Sequence, residues 1–462
     1  EAGSGNAALG LTAKIRGLTV AKLKPRLTRR TDLKPIGDPA AELFEVLAPG
    51  GLSNHWACAV PRFSPDDFAD AARGGELTTW PLGYADLEPF YERVEPLLRI
   101  AGSRRSVPAL PAGTVSVERT LGEGWSGIVR AASELGRDVV AMPYAFGAET
   151  MLTRSATAFN AYTQLVKPIE RSGALSVRYD TQALRLVWSP SARRVVAVVC
   201  RDATTGAEVE IPCRAVVLAA GAVNSAQILL ESASADFPDG LGNGHGVLGR
   251  YLHDHPLAKL VVELGTPLEL LPASYVTRPS LERTRPLYAA ACMQWTSARE
   301  VGRALLSTHP GRTTELGFSI FGTMAPVADN FVALDGSAPA SNRRASLRLA
   351  LRHEPAALDA LQSAKDDLVR ALDRAGLAPR VLVFKIEPPG NSVHYGGTCR
   401  MHASAQYGVV DRDCRVFDVP NVAVADSAVF TTGPEKNPVL TAMTLAARAS
   451  ERLAEAMRSG DL

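Results

Sequence analysis

Cysteine is scarce in this chain. Cys58, Cys200, Cys213, Cys292, Cys399 and Cys414 form no C-x-x-C pair and no zinc-like cluster, so no metal site is expected. Six thiols in 462 residues are too few for a disulfide framework and predict reduced cysteines in a cytoplasmic compartment. Net charge is scarce too. The 50 Lys and Arg against 48 Asp and Glu leave +2, and nothing in that balance favours nucleic acid, a membrane surface or an acidic partner as a bulk electrostatic target. No stretch of 18 apolar residues occurs, so no membrane-spanning helix is predicted. Internal repeats, low-complexity tracts and a signal pattern at the start are also missing.

What is present is an ordinary globular balance, 46% hydrophobic and 21% charged, in a length that suits two to four domains or two large interleaved ones. Residues 84–100 show helical apolar spacing, and 103–113 read as a Pro/Ser-rich loop. An α/β rhythm follows. Asn160–Arg171 reads as helix, Ser176–Trp188 as strand, and Val195–Cys200 and Glu208–Cys213 as further strands by alternation. The apolar run Arg214–Ala220 suits a strand buried on both faces. It enters Gly221-Ala222 and a helix over Asn224–Ser232, an arrangement that sets a helix N-terminus beside a ligand phosphate. Strands are predicted over 257–265, 286–296, 314–334 and 345–352, and an amphipathic helix over 354–376, closed by Gly376. Asn421–Ala425 reads as strand, Asp426–Lys436 as loop and Pro438–Met457 as an Ala-rich helix.

Two stretches invite a chemical reading. Pro49-Gly50-Gly51-Leu52-Ser53-Asn54-His55-Trp56 places adjacent glycines where the backbone approaches a ligand or turns tightly. His394-Tyr395-Gly396-Gly397-Thr398-Cys399-Arg400-Met401 is followed by Asp426-Ser427-Ala428-Val429-Phe430 and then Asn437-Pro438. A neutral His can take a proton, and an Asn can hold a hydroxyl but cannot titrate. By spacing alone, His394 reads as a hydrogen-bonded structural residue before a Gly-Gly turn, with deprotonation of an alcohol as the alternative.

Taken together, these segments resemble the glucose–methanol–choline (GMC) family of flavin oxidoreductases over nearly the whole chain. His394–Met401 resembles the family's H-x-G-T-x-R-M segment, and Arg415–Val422 a strand entry. Asp426–Phe430 with Asn437-Pro438 resembles the closing flavin-binding segment. Gly221–Leu230 resembles the second family signature, and Gly249–Pro256 (GRYLHDHP) the stretch after it. Gly50–Arg62 resembles the G-G-x-S-T-H-W-x-C-A-x-P segment of the pyranose and glycoside oxidase branch, where the His can bond to the flavin 8-methyl carbon. Asn54 stands where that branch has Thr, which leaves covalent and noncovalent contact through His55 both open.

The resemblance implies an α/β fold with two parts. A Rossmann-like FAD-binding domain is discontinuous over 1–66, 165–250 and 396–462; a sheet-and-helix substrate domain takes 67–164 and 251–395. The implied cofactor is FAD, touched by Glu1, Gly50, Gly51, Ser53, Asn54, His55, Trp56, Ala57, Cys58, Ala183, Ala220, Gly221, Asp426, Ala428, Val429, Asn437, Pro438 and Thr441. The implied reaction is oxidation of a secondary alcohol on a small-molecule sugar or glycoside. His394 takes the hydroxyl proton, hydride passes to the flavin, and Asn437 positions the oxygen. Electrons then go to oxygen, a quinone or another acceptor. A cyanohydrin lyase that keeps FAD and a cofactor-free remnant are the alternatives. Glu1-Ala2-Gly3 resembles the end of the second strand of the dinucleotide-binding unit, with Glu1 as the ribose acid. On that reading about 30 residues, including G-x-G-x-x-G, belong before Glu1, and the chain as given holds FAD poorly. The alternative starts the glycine motif at Gly3-Ser4-Gly5. Gly240–Gly246 opens no helix and does not replace that motif.

Overall fold

The computed structural model describes residues 27–36, 38–147, 159–295, 310–336 and 345–462. Glu1, Gly3 and Gly5 lie outside the described residues, and with them the expectations for the start of the chain.

Alternating side chains build the largest sheet. Six antiparallel strands run in the order Arg380–Ile386, Leu257–Glu269, Arg312–Gly322, Ala290–Trp295, Ser274–Val276 and Val139–Ala141. Ala258, Leu260, Val262, Leu316, Phe318, Ile320 and Cys292 share one face and pack with helices Ser126–Glu134 and Pro355–Arg374. Leu257, Lys259, Met293, Trp295, Ser319 and Phe321 take the other face and line the main cavity. The two-residue period of a strand sorts the two sets. Helix Pro355–Arg374 meets the sheet through Ala357, Leu361, Ala364, Leu368 and Ala371, a three-and-four spacing that puts them on one stripe. Gly376, at φ 78°, follows its end as the sequence implies.

A second body is centred on the parallel pair Val216–Leu218 and Val422–Val424. Helices Ala222–Glu231, Tyr84–Leu98 and Val439–Ser459 share its core through Leu229, Leu87, Leu98, Leu440 and Leu445. The three-stranded antiparallel sheet Thr181–Ser189, Arg194–Asp202 and Glu208–Pro212 is tied to it by Asn421. The Asn421 amide donates to the carbonyls of Val195 at 2.7 Å and Arg214 at 2.9 Å. Phe331–Leu334, Leu347–Ala350 and Leu33–Pro35 form a further small sheet.

Three expectations need correction, and one helix goes beyond them. Residues 314–334 are two strands in different sheets, because Pro326 interrupts the donors and the Asn330 side chain bonds Arg352 instead of continuing a ladder. Asn160–Arg171 is a widened turn, Tyr162–Val166, before a short helix, Lys167–Arg171, with Pro168 removing one backbone donor. The run Arg214–Ala220 contributes only Val216–Leu218, and Val217 is 44% exposed. Among the described residues it pairs with one strand, and since Val216 and Leu218 are buried while Val217 is exposed, one of its faces is packed. Helix Pro65–Arg73 escaped notice although its start is legible. Ser64 N–H donates to Asp67 Oδ2 at 2.7 Å and Pro65 takes the first helical position, a capping box. All six cysteines are unpaired. Among the described residues no helix is long and apolar enough to cross a membrane.

Candidate active site

A cavity of about 950 Å³ lies where the open face of the six-stranded sheet meets the parallel pair and its helices. That is at the upper end of the range of roughly 300–1,000 Å³ for small-molecule sites. His394 and Asn437 both line it, as do Gly50, Gly51, Ser53, His55, Trp56, Ala57, Ala220, Gly221, Asp426 and Pro438.

The loop carrying His394 is held from below by Asp254. Its buried carboxylate accepts the backbone N–H of Ser392 at 3.1 Å and of His394 at 2.7 Å, and also the Ser392 hydroxyl. Val393, between those two anchors, has φ 60°. A β-branched residue in that left-handed region is strained by about 1–2 kcal/mol, and here the flanking bonds hold it there. The strained turn sets the imidazole against the cavity. His394 Nε2 lies 3.2 Å from Asn437 Nδ2, and its Nδ1 lies 3.0 Å from His255 Nδ1. The Phe321 ring packs at 5.2 Å between centroids. Burial pushes the His394 imidazole well below its ordinary pKa, and the neighbouring His255 ring and the Lys259 ammonium act in the same direction. A ring kept neutral can accept a proton.

Asn437 is positioned by its neighbour. Lys436, with a fully buried side chain, reaches Asp67 Oδ2 at 2.5 Å and Glu435 Oε1 at 3.3 Å. The ion pairs fix the turn that presents the amide.

On the opposite side, Gly50 at φ 96° and Gly51 at φ 50° open the turn Gly51–Asn54. Ser53 Oγ donates to the Gly50 carbonyl at 2.5 Å and accepts from Ala161 N–H at 3.1 Å. Asn54 turns inward, against expectation. Its amide donates to the carbonyls of Pro49 and Gly51 and its oxygen accepts from Asn160, so it braces the turn and does not line the cavity. Trp56 is partly buried, and its indole N–H donates to the Phe159 carbonyl at 2.7 Å. At the far end, Asp426 accepts from Gly221 N–H at 2.9 Å, Ser225 Oγ at 2.6 Å and Ala428 N–H at 2.8 Å. These bonds present Gly221 and the first turn of helix Ala222–Glu231 to the cavity.

Other expected contacts stand back from it. Cys58, Ala428 and Val429 are buried and absent from the lining. Thr441 Oγ1 is engaged by the Tyr91 hydroxyl at 2.7 Å, outside the lining. Ala183 is exposed on its strand, opposite Cys200. Asp254, His255, Ser392 and Lys259 were not assigned roles from sequence. The first two sit inside the GRYLHDHP stretch, whose paired Asp and His were the available signal.

The residues present fit an FAD. The cavity is of suitable size, and a Cβ added at Gly51 or Gly221 would meet nothing within 4 Å, so both glycines border open space. Bare backbone along such a wall is what a dinucleotide needs.

Two family models described as GMC oxidoreductase match the chain, over residues 77–257 and 326–446, together well over half its length. The 2-methyl-1,2-propanediol dehydrogenase of Mycolicibacterium austroafricanum is 27% identical over 461 residues, covering 87% of this chain and 80% of that protein. A C-glycoside 3-oxidase of Arthrobacter globiformis is 32% identical over 145 residues, 31% of this chain and 28% of that protein. The crystal structure of pyridoxine 4-oxidase from Mesorbium loti has a TM-score of 0.60 at 15% identity, covering 95% of this chain and 91% of that one, which shows a shared fold. The matched segments flank a cavity that pairs an imidazole with an amide beside glycine-lined backbone. The chain therefore belongs to the GMC oxidoreductases, FAD-dependent enzymes that act on CH–OH groups.

Proposed function

We propose that this chain oxidises a secondary alcohol on a sugar or glycoside, with His394 as base and Asn437 holding the reacting oxygen. The observation that carries this reading is the 3.2 Å approach of Asn437 Nδ2 to the buried, neutral His394 at the cavity wall. FAD supplies the hydride acceptor when bound. Gly50, Gly51, Ser53, Ala57, Ala220 and Gly221 would hold it, and His55, which lines the same cavity, would contact its ring system. A covalent bond through His55 is the stronger form of that contact; a flavin that precipitates with acid-denatured holoprotein reports the bond, and one left in solution refutes it.

His394 Nε2 receives the hydroxyl proton, and the Asn437 N–H turns to the alcohol oxygen, so base and substrate meet in one geometry. The sheet wall supplies the rest of the binding site. Lys259, Ser319, Asn391 and Ser392 offer hydrogen bonds, while Trp295, Phe321 and Tyr144 offer ring faces. That mixture suits a ring bearing several hydroxyls. The wall falls within 67–164 and 251–395, the proposed substrate domain, and the glycine-lined side within 1–66, 165–250 and 396–462, the proposed FAD domain. Oxygen, a quinone or another acceptor receives the electrons.

Stopped-flow reduction of the flavin with a panel of glycosides and 2-methyl-1,2-propanediol tests this. His394→Ala should slow reduction by about 10²–10⁴-fold, the usual contribution of a general base. Near-wild-type reduction in that variant refutes the base role, and reduction by the diol alone refutes the glycoside assignment.

A further inference from the structure

We infer that His255, anchored on the Pro434 carbonyl, sets the tautomer of His394 and so leaves His394 Nε2 as the bare, proton-accepting atom facing the cavity. The inference rests on the base role proposed for His394. His255 is a positioning residue in this scheme and touches no reacting atom.

The argument follows the hydrogens along a chain of four groups. His255 Nε2 is in hydrogen-bond contact with the Pro434 carbonyl oxygen. A carbonyl only accepts, so His255 Nε2 carries the hydrogen. Burial holds His255 neutral, with its pKa pushed down to about 4. A neutral imidazole has one N–H, so His255 Nδ1 presents a lone pair. His394 Nδ1 lies 3.0 Å from it. Two lone pairs at that distance repel, so His394 Nδ1 carries the hydrogen and donates. His394 Nε2 is then bare, and the Asn437 amide N–H, 3.2 Å away, points at it.

The same arrangement serves the charged state. A proton arriving at Nε2 makes an imidazolium whose Nδ1–H is already bonded, so only the Asn437 amide, which turns to the alcohol oxygen, has to move. Three segments fix the geometry: His255 itself, the loop that Asp254 holds at Ser392 and His394, and the turn at Pro434. The charged and titratable neighbours are Glu435, which favours the charged form of His255, Lys259, which disfavours that of His394, and His253 and His353, whose own pKa values His255 helps to lower.

Two substitutions separate this role from packing. His255→Asn keeps an oxygen near the place of Nδ1 and can still accept. His255→Leu keeps bulk but leaves the His394 Nδ1–H buried without a partner. In that variant the Nε2–H form is favoured, because it can donate to the Asn437 oxygen after the amide turns. Nitrogen-15 NMR of histidine-labelled protein reads the tautomer directly, with the His394 signals identified by their loss in His394→Ala. Wild type and His255→Asn should show a protonated Nδ1 and a bare Nε2. His255→Leu should show Nε2–H and a reductive half-reaction slowed about 10²-fold at every pH on the plateau. A wild-type spectrum with Nε2–H overturns the inference. So does a His255→Leu variant with wild-type tautomer and rate, or a His255→Asn variant as slow as His255→Leu with its tautomer unchanged. If His394→Ala reduces flavin normally, the base role fails instead, while the NMR result on the tautomer stands by itself.

Discussion

Lys436 Nζ lies 2.5 Å from Asp67 Oδ2, and neither side chain is more than 3% exposed. The pair bridges 369 residues of sequence and joins the capping box of helix Pro65–Arg73 to the turn that presents Asn437. An ammonium this deep is tolerated only with its partners in place. Asp67→Asn leaves Lys436 only Glu435, 3.3 Å away, as counter-ion, and should destabilise the fold by about 1–3 kcal/mol, the usual cost of losing a buried hydrogen bond to a charged group. Lys436→Met added to Asp67→Asn should deepen that loss, because buried Glu435 then keeps only Arg278, 3.7 Å away, as counter-ion. Urea denaturation of the three proteins checks it; a single variant as stable as wild type would show that the pair contributes little.

Asn437→Asp places a carboxylate beside His394 Nε2 in place of an amide. An adjacent negative charge favours the imidazolium, so the His394 pKa rises by about 1–3 units. The base then becomes available only at higher pH, and the rising limb of the flavin-reduction profile should move up by a similar amount. A profile that stays in place would separate Asn437 from His394.

Acid should destabilise this fold earlier than carboxylate titration alone predicts. Burial, the leading cause in each case, pushes His253 down to about 3, His255 and His353 to about 4, and His394 well below its ordinary value. The unfolded chain takes up these protons near pH 6.5, which the folded state does not. Stability is therefore full above about pH 6.5 and falls as pH drops through the window towards about 4, by about 1.4 kcal/mol per pH unit for each imidazole. Asp254 opposes them. Burial raises its pKa to about 6, so its contribution is present below the unfolded carboxyl value and is lost as pH rises through about 6. Asp67 and Asp426, whose pKa values burial also raises, act the same way, so the three carboxylates offset part of the four imidazoles. Thermal denaturation between pH 7 and 5 should show a steadily falling Tm, and a flat curve would contradict the burial argument.

Gly221 sits at φ 82° with open space where a Cβ would go. Gly221→Ala should cost about 1–3 kcal/mol in backbone strain and project a methyl group into the cavity beside Asp426. The expected outcome is a lower Tm together with weaker retention of FAD on gel filtration. Unchanged values of both would show that the backbone there adapts freely.

Much of this molecule is legible along the chain because its signals are local. The strand Leu257–Glu269 and the helix Pro355–Arg374 follow from periods of two and of three to four, and Ser64-Pro65-Asp66-Asp67 spells a helix start. The segments around Gly50, Gly221, His394 and Asn437 point to a flavin site by resemblance alone. Which strands pair was not legible. Nothing near 314–334 says that its two halves enter different sheets, since that depends on partners far along the chain. Asn54 and Thr441 read as contacts, yet neighbours distant in sequence, Asn160 and Tyr91, claim their side chains. The base shows the division most clearly. A histidine at 394 and an asparagine at 437 can be read from sequence, but the state of that histidine is decided by His255, 139 residues away, and by a carbonyl at Pro434. Hydrogen-bond partners are chosen by position in space, and only the closed fold brings those three segments within 3 Å or so of one another.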